Sequence, residues 1–183
     1  MTRSLILVLL VGLAACARRT GASSEAQHPH QDLGGGAPVI SLERTPCFGT
    51  CPVYTISVTA LGRVTFEGRA HVLRPGVARA EIPRQRVDSL LLELERAGYF
   101  GFAGRYTASE PACGRYVTDL PSAIISVTRI GRTKRIEHDH GCGSAPGALA
   151  VLEKRIDEVL GSKWWIENRS EKGEVRREVR SEK

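Results

Sequence analysis

Along residues 53–59 apolar and polar side chains alternate strictly, with Tyr54, Ile56 and Val58 on one face and Thr55, Ser57 and Thr59 on the other. That period of two predicts a strand with one face buried. Gly62 then marks a short turn, and Val64 and Phe66 resume the alternation, so the pair predicts a β-hairpin. Residues 39–42 predict a strand before it, and weaker β-character returns at His71-Val72-Leu73 and Val77-Ala78-Arg79. Then the period changes. Val87, Leu90, Leu91 and Leu94 fall at i, i+3, i+4 and i+7, with Pro83 near the start and Gly98 just past the end, which predicts an amphipathic helix over 83–97. Residues 98–121 carry no period and are long for a connection without structure, so the segment is either functional or pinned by something. A second hairpin follows, with 123–129 as one arm, Gly131 in the turn and 133–138 as the other. A helix over 146–160 closes the pattern, its stripe formed by Leu149, Leu152, Ile156, Val159 and Leu160, with Gly161 suited to its C-terminal cap. These elements predict an α+β fold: a mainly antiparallel sheet of two hairpins plus an extra strand, packed by two amphipathic helices, in one domain over 38–161.

The ends of the chain differ in kind from this middle. Arg3, an apolar run over 5–13 and the small pair Ala14-Ala15 precede Cys16. The run is shorter than the about 20 residues a spanning helix needs, and its flanks are those of an export signal. Leu13-Ala14-Ala15-Cys16 also resembles the lipobox of bacterial lipoproteins. That resemblance implies that residues 1–15 are removed and that Cys16 carries acyl chains, which hold a protein to a membrane at about 0.8 kcal/mol per buried CH₂. With Ala17 after the cysteine rather than Asp, it further implies an outer membrane and a periplasm-facing domain. Residues 16–37 read as the lipidated Cys and a flexible tether, rich in Gly, Ser, Ala and Gln. His28 and His30 lie in the tether without a fixed geometry for a metal. Residues 162–183 hold the Trp164-Trp165 pair and, interleaved, seven basic and five acidic residues, the composition of a disordered tail. The formal net charge is +6, but its opposite charges are too mixed for a nucleic-acid footprint, and the envelope location argues against one as well.

With Cys16 assigned to lipid, Cys47, Cys51, Cys113 and Cys142 remain. An even number in an oxidising compartment reads as two disulfides, for which three pairings are open. Proximity favours Cys47 with Cys51, leaving Cys113 with Cys142 to tie the aperiodic segment to the loop before the last helix. Two functional readings compete for CFGTC at 47–51. A thioredoxin-like pair has two intervening residues and opens a helix, whereas here there are three and a strand follows, so no helix N-terminus lowers a thiol pKa. The C-x-x-x-C-P spacing resembles the copper loop of Sco-type cytochrome oxidase assembly proteins, with His138 and His140, two apart on one strand face, as imidazole donors. No βαβ pattern surrounds the motif, and a structural clip is the preferred reading, with Gly49 supplying the φ > 0 that a tight ring needs.

The same residues carry a closer resemblance. Cys47-Phe48-Gly49, Cys51-Pro52 and Tyr54, followed by a strand, a turn Gly62, a helix, Asp119-Leu120-Pro121, a hairpin and a last helix, resemble a bacterial envelope domain of unknown function defined by a C-F-G-x-C-P-x-Y opening. The resemblance implies a small α+β domain behind a lipoprotein signal, with no assigned activity.

No G-x-S-x-G, H-E-x-x-H, P-loop or dinucleotide fingerprint occurs. The best polar cluster is EHDHGC at 137–142, that is His138 and His140 with Asp119 and Tyr106 in support. Two near-adjacent histidines at a strand end are most often exposed polar residues, so no catalytic residue, metal or cofactor is assigned. Two function classes follow. One is a lipid-anchored, non-catalytic domain that binds another envelope component; the alternative is a copper or thiol-redox accessory protein using Cys47, Cys51, His138 and His140.

Overall fold

A computed structural model describes residues 36–167. The expected signal over 1–15, Cys16, the expected tether up to residue 35 with His28 and His30, and the chain after 167 lie outside the described residues.

Strands β1 (Pro38–Arg44), β2 (Val53–Thr59), β3 (Arg63–Ala70) and β4 (Gly76–Glu81) form an antiparallel meander. Helix α1 (Arg84–Arg96) follows, then a two-residue β5 (Arg105–Tyr106), β6 (Ser122–Arg129), β7 (Arg132–Asp139), α2 (Gly147–Leu160) and a short α3 (Lys163–Ile166). All strands join one sheet of order β4-β3-β2-β1-β6-β7-β5, antiparallel except where β5 lies parallel to β7. Two hairpins plus one strand therefore understates the sheet. The strand expected only weakly at 77–79 is β4, whose inward residues Ala78 and Ala80 face Phe66 and Val64. Alanines at an edge are too small to register as hydrophobic periodicity. Residues 71–73 are not a strand: His71 turns the chain at φ +51°.

The alternation read from sequence is the burial pattern. Leu42 sits beside Ile56 on one side and Ile125 on the other, and Ile56 beside Phe66, so a continuous apolar row crosses four strands. Val87, Leu90, Leu91 and Leu94 of α1 and Leu149, Leu152, Ile156 and Leu160 of α2 join it in one core. Gly62 is required in its turn, because it takes φ +89° and a Cβ there would lie 2.0 Å from the Ile82 carbonyl oxygen. The opposite face keeps half-exposed Ser41, Glu43, Thr55 and Ser57, with Arg69 bridging Glu43 and Thr55 at 2.8 and 2.9 Å. No helix among the described residues is long and apolar enough to cross a membrane.

Three devices order the aperiodic segment. Tyr99 is fully buried, and its hydroxyl donates to the Ile125 and Lys134 carbonyls at 3.0 and 3.2 Å. β5 adds to the sheet edge. Residues 113–117 then run beside 141–144, joined by Gly143 N–H to Arg115 O at 2.7 Å, Val117 N–H to Gly141 O at 2.9 Å, and the Cys113–Cys142 disulfide. Composition alone placed the tail boundary too early: Trp165 stacks on Phe66 at 4.9 Å, its carbonyl accepts from Arg74 N–H, and Ser162 is buried, so 162–167 belong to the fold.

Candidate functional site

The densest polar cluster among the described residues forms under α2, where β1 and β7 end and β2 begins. Side chains alternate along a strand, so Ile136 and His138 of β7 both face α2, and His140, just past the strand end, keeps that side. On α2, Glu153 falls four residues after Leu149 and three before Ile156, inside the apolar stripe, and is 1 % exposed. A carboxylate buried there needs partners, and it has three. His138 Nδ1–H donates to Oε1 at 2.5 Å, His140 Nε2–H to Oε2 at 2.7 Å, and Arg44 Nη1–H to Oε2 at 2.9 Å. One turn along α2, Asp157 accepts from Arg44 Nη2–H at 2.9 Å and from the Tyr54 hydroxyl at 2.6 Å. Arg44 thus spans two carboxylates in the fork geometry a guanidinium favours.

Burial pushes the Glu153 carboxyl up, but the hydrogen bonds from His138 and His140 and the Arg44 charge outweigh it and hold it at about 2. Burial acts against the Arg44 charge, while Asp157 and Glu153 more than offset it and raise its pKa. Burial, then the Asp157 charge, push the Tyr54 hydroxyl up. A carboxylate this acidic is a poor proton acceptor near neutral pH, where a general base works best when its pKa lies close to the pH.

Of the residues singled out from sequence, the fold brings His138, His140 and Tyr106 together. Tyr106 is buried, sets its ring edge-on to His138, and accepts the Ala103 N–H at its hydroxyl. Asp119 sits elsewhere: its carboxylate accepts from Thr118 and its carbonyl from Phe48 N–H at 3.1 Å. Glu153, Asp157, Arg44 and Tyr54 were not flagged as a polar site by sequence. The available signal was Glu153 itself, a charge within the apolar stripe.

The cysteines pair as Cys47–Cys51 and Cys113–Cys142, with Cα atoms 5.8 and 4.6 Å apart. The second bridge is buried in the core. The first closes an exposed ring in which Gly49 takes φ +147°, and it presents Phe48 outward, 90 % exposed. The hydrogen bond from Phe48 N–H to Asp119 O ties this ring to the segment that carries exposed Val117 and Leu120.

Residues 38–160 match the model of a domain of unknown function (DUF6438). The chain belongs to this family. The matched span runs from the first residue of β1 to the last of α2, so the DUF6438 domain contains both disulfides and the whole Glu153 network, while the Trp165 contact is added by the residues that follow. No curated protein matches the chain.

Proposed function

We propose that this protein is a lipid-anchored component of a bacterial envelope, held at Cys16 to the outer membrane with its domain facing the periplasm, and that the domain is a non-catalytic interaction module. The observation that carries this reading is the Phe48 tip. A phenylalanine 90 % exposed on a covalently closed loop, hydrogen-bonded to the segment that carries exposed Val117 and Leu120, is an apolar side chain held in advance of contact. Exposed apolar groups that cluster mark contact sites, and rigid loops lose little entropy on binding. The occupant this surface suits is an envelope protein with an apolar recess.

Further support comes from chemistry already engaged. The four cysteines of the domain are bonded in pairs, and Glu153 is saturated by three donors at a pKa unsuited to base catalysis. The alternative, a copper or thiol-redox role for Cys47 and Cys51 with His138 and His140, requires the half-buried Cys47–Cys51 bridge to be reduced first. Counting free thiols on protein isolated from membranes separates the two: none supports the clip, two at 47 and 51 support the thiol role.

The interaction reading is tested by chemical crosslinking in cells. A discrete adduct in the wild type, lost in Phe48→Ser while that variant keeps its unfolding midpoint, is expected. An unchanged adduct pattern in Phe48→Ser would overturn it, as would the absence of any adduct.

A further inference from the structure

We propose that His138, His140 and Glu153 form a binding site for one divalent transition-metal ion of the zinc class, independent of the cysteines. Their donor atoms, two imidazole nitrogens and a carboxylate oxygen, all lie within 4.8 Å of one another. In a zinc site the metal–nitrogen and metal–oxygen bonds are each about 2.0–2.2 Å, so neighbouring donors stand roughly 3.3 Å apart. Here the imidazole nitrogens are 2.5 and 2.7 Å from the Glu153 oxygens. An ion enters by taking the place of the two shared hydrogens: the bonded pair at Oε1 parts by under about 1 Å, and the donors that stand up to 4.8 Å apart draw in toward the ion.

The surroundings fit that exchange. Arg44 keeps hold of Oε2 and of Asp157, fixing the carboxylate while Oε1 turns to the ion, the kind of outer contact that orients a ligand. Arg44 carries one positive charge against the two negative charges of Glu153 and Asp157, so the cluster has room for a cation. His138 is buried against Tyr106, whereas the His140 side chain is 30 % exposed, so the ion enters past His140 and water completes its coordination there. Two nitrogens and one oxygen select Zn²⁺, Ni²⁺ or Cu²⁺ over Ca²⁺ and Mg²⁺, which take oxygen donors. Each imidazole must offer as a lone pair the nitrogen that now carries a hydrogen. Binding therefore moves that hydrogen to the other ring nitrogen and weakens in acid. An ion here ties the end of β7 to α2.

The test is calorimetric titration of ZnCl₂ into the full-length protein, purified without a polyhistidine tag, with disulfides intact and metal stripped by chelator. The expected result is about one ion per chain bound more tightly than about 10 µM, with His140→Ala lowering affinity at least about tenfold and His28→Ala/His30→Ala leaving it unchanged. His140→Ala keeps the His138 and Arg44 bonds to Glu153, so its fold, checked by circular dichroism, survives. Co²⁺ added to the wild type should give visible bands without thiolate charge transfer. Absence of zinc binding overturns the proposal, as does binding that persists in His140→Ala or disappears in the tether variant, or a thiolate signature with Co²⁺.

Discussion

Phe48 and Ile130 are equally exposed, at 90 % each, and stand at opposite ends of the sheet. β1 and β6 are antiparallel with Arg44 opposite Ala123, so the loop after β1 lies beyond the start of β6, while Ile130 turns the chain beyond its end. The two tips are supported differently. Phe48 leaves the positive φ to Gly49, in a ring closed by a disulfide, and at the same end of the sheet lie the Cys113–Cys142 bridge and the Glu153 network. Ile130 takes φ +49° itself, in a two-residue turn with Gly131 at +70°. A β-branched residue in that region is strained. Phe48 is hydrogen-bonded through its N–H to Asp119, in the segment with exposed Val117 and Leu120; Ile130 stands between Arg129, paired with Glu95 at 3.1 Å, and Arg132, whose guanidinium covers Phe100. Equal exposure thus arises from a disulfide-closed loop at one end and a strained turn, on the rim of a cleft shared with Phe100, at the other. A single exposed apolar side chain is ordinary, and a supported group of them marks a surface.

Removing the brace under the Phe48 end should have the largest effect. Cys113→Ser/Cys142→Ser opens a loop with a sequence separation of 29 and should cost about 3.5 kcal/mol in urea unfolding, with hydrogen-exchange protection lost first over 113–117. Acid should reach the same end next. Glu153 titrates at about 2 in the folded protein against an ordinary 4.5. Its stabilisation is therefore whole above about pH 4.5 and is lost as the pH falls through about 2, a change of about 3 kcal/mol. Unfolding midpoints across that window should fall in the wild type and flatten in Glu153→Gln; equal slopes would detach Glu153 from stability. Opening the exposed ring with Cys47→Ser/Cys51→Ser should cost about 2 kcal/mol, less than the buried bridge. The reverse order would mean that the ring carries the fold and not a surface. Ile130→Asn should have the smallest effect and the opposite sign, stabilising the turn by about 1 kcal/mol, because Asn tolerates the left-handed region.

What was legible in the sequence follows from size and period. Large apolar residues at period two marked β2, β3 and β6, the turn at Gly131 placed β7 after β6, and apolar stripes of helical period marked both helices to within a residue or two. β4 was faint because its inward positions are alanines. The segment over 98–121 was legible as pinned, and the Cys113–Cys142 pairing followed from proximity, but Tyr99's two hydrogen bonds depend on strands distant in sequence. Among the polar residues, His138 and His140 stood out because they are near neighbours. Arg44, Glu153 and Asp157 did not, since |i−j| reaches 109 and 113 between the arginine and its carboxylates, and only the packing of α2 across β1 joins them. Trp165 was grouped with the charged residues after it, although its ring completes the core over Phe66.

The most direct test compares the two tips. A photoreactive amino acid is placed at position 48 or at position 130 of the full-length protein, and adducts formed in living cells are identified by mass spectrometry. The account predicts a discrete envelope protein joined to position 48, abolished in Cys47→Ser/Cys51→Ser and absent from position 130. Equal labelling from both positions, or labelling from 130 alone, would contradict it.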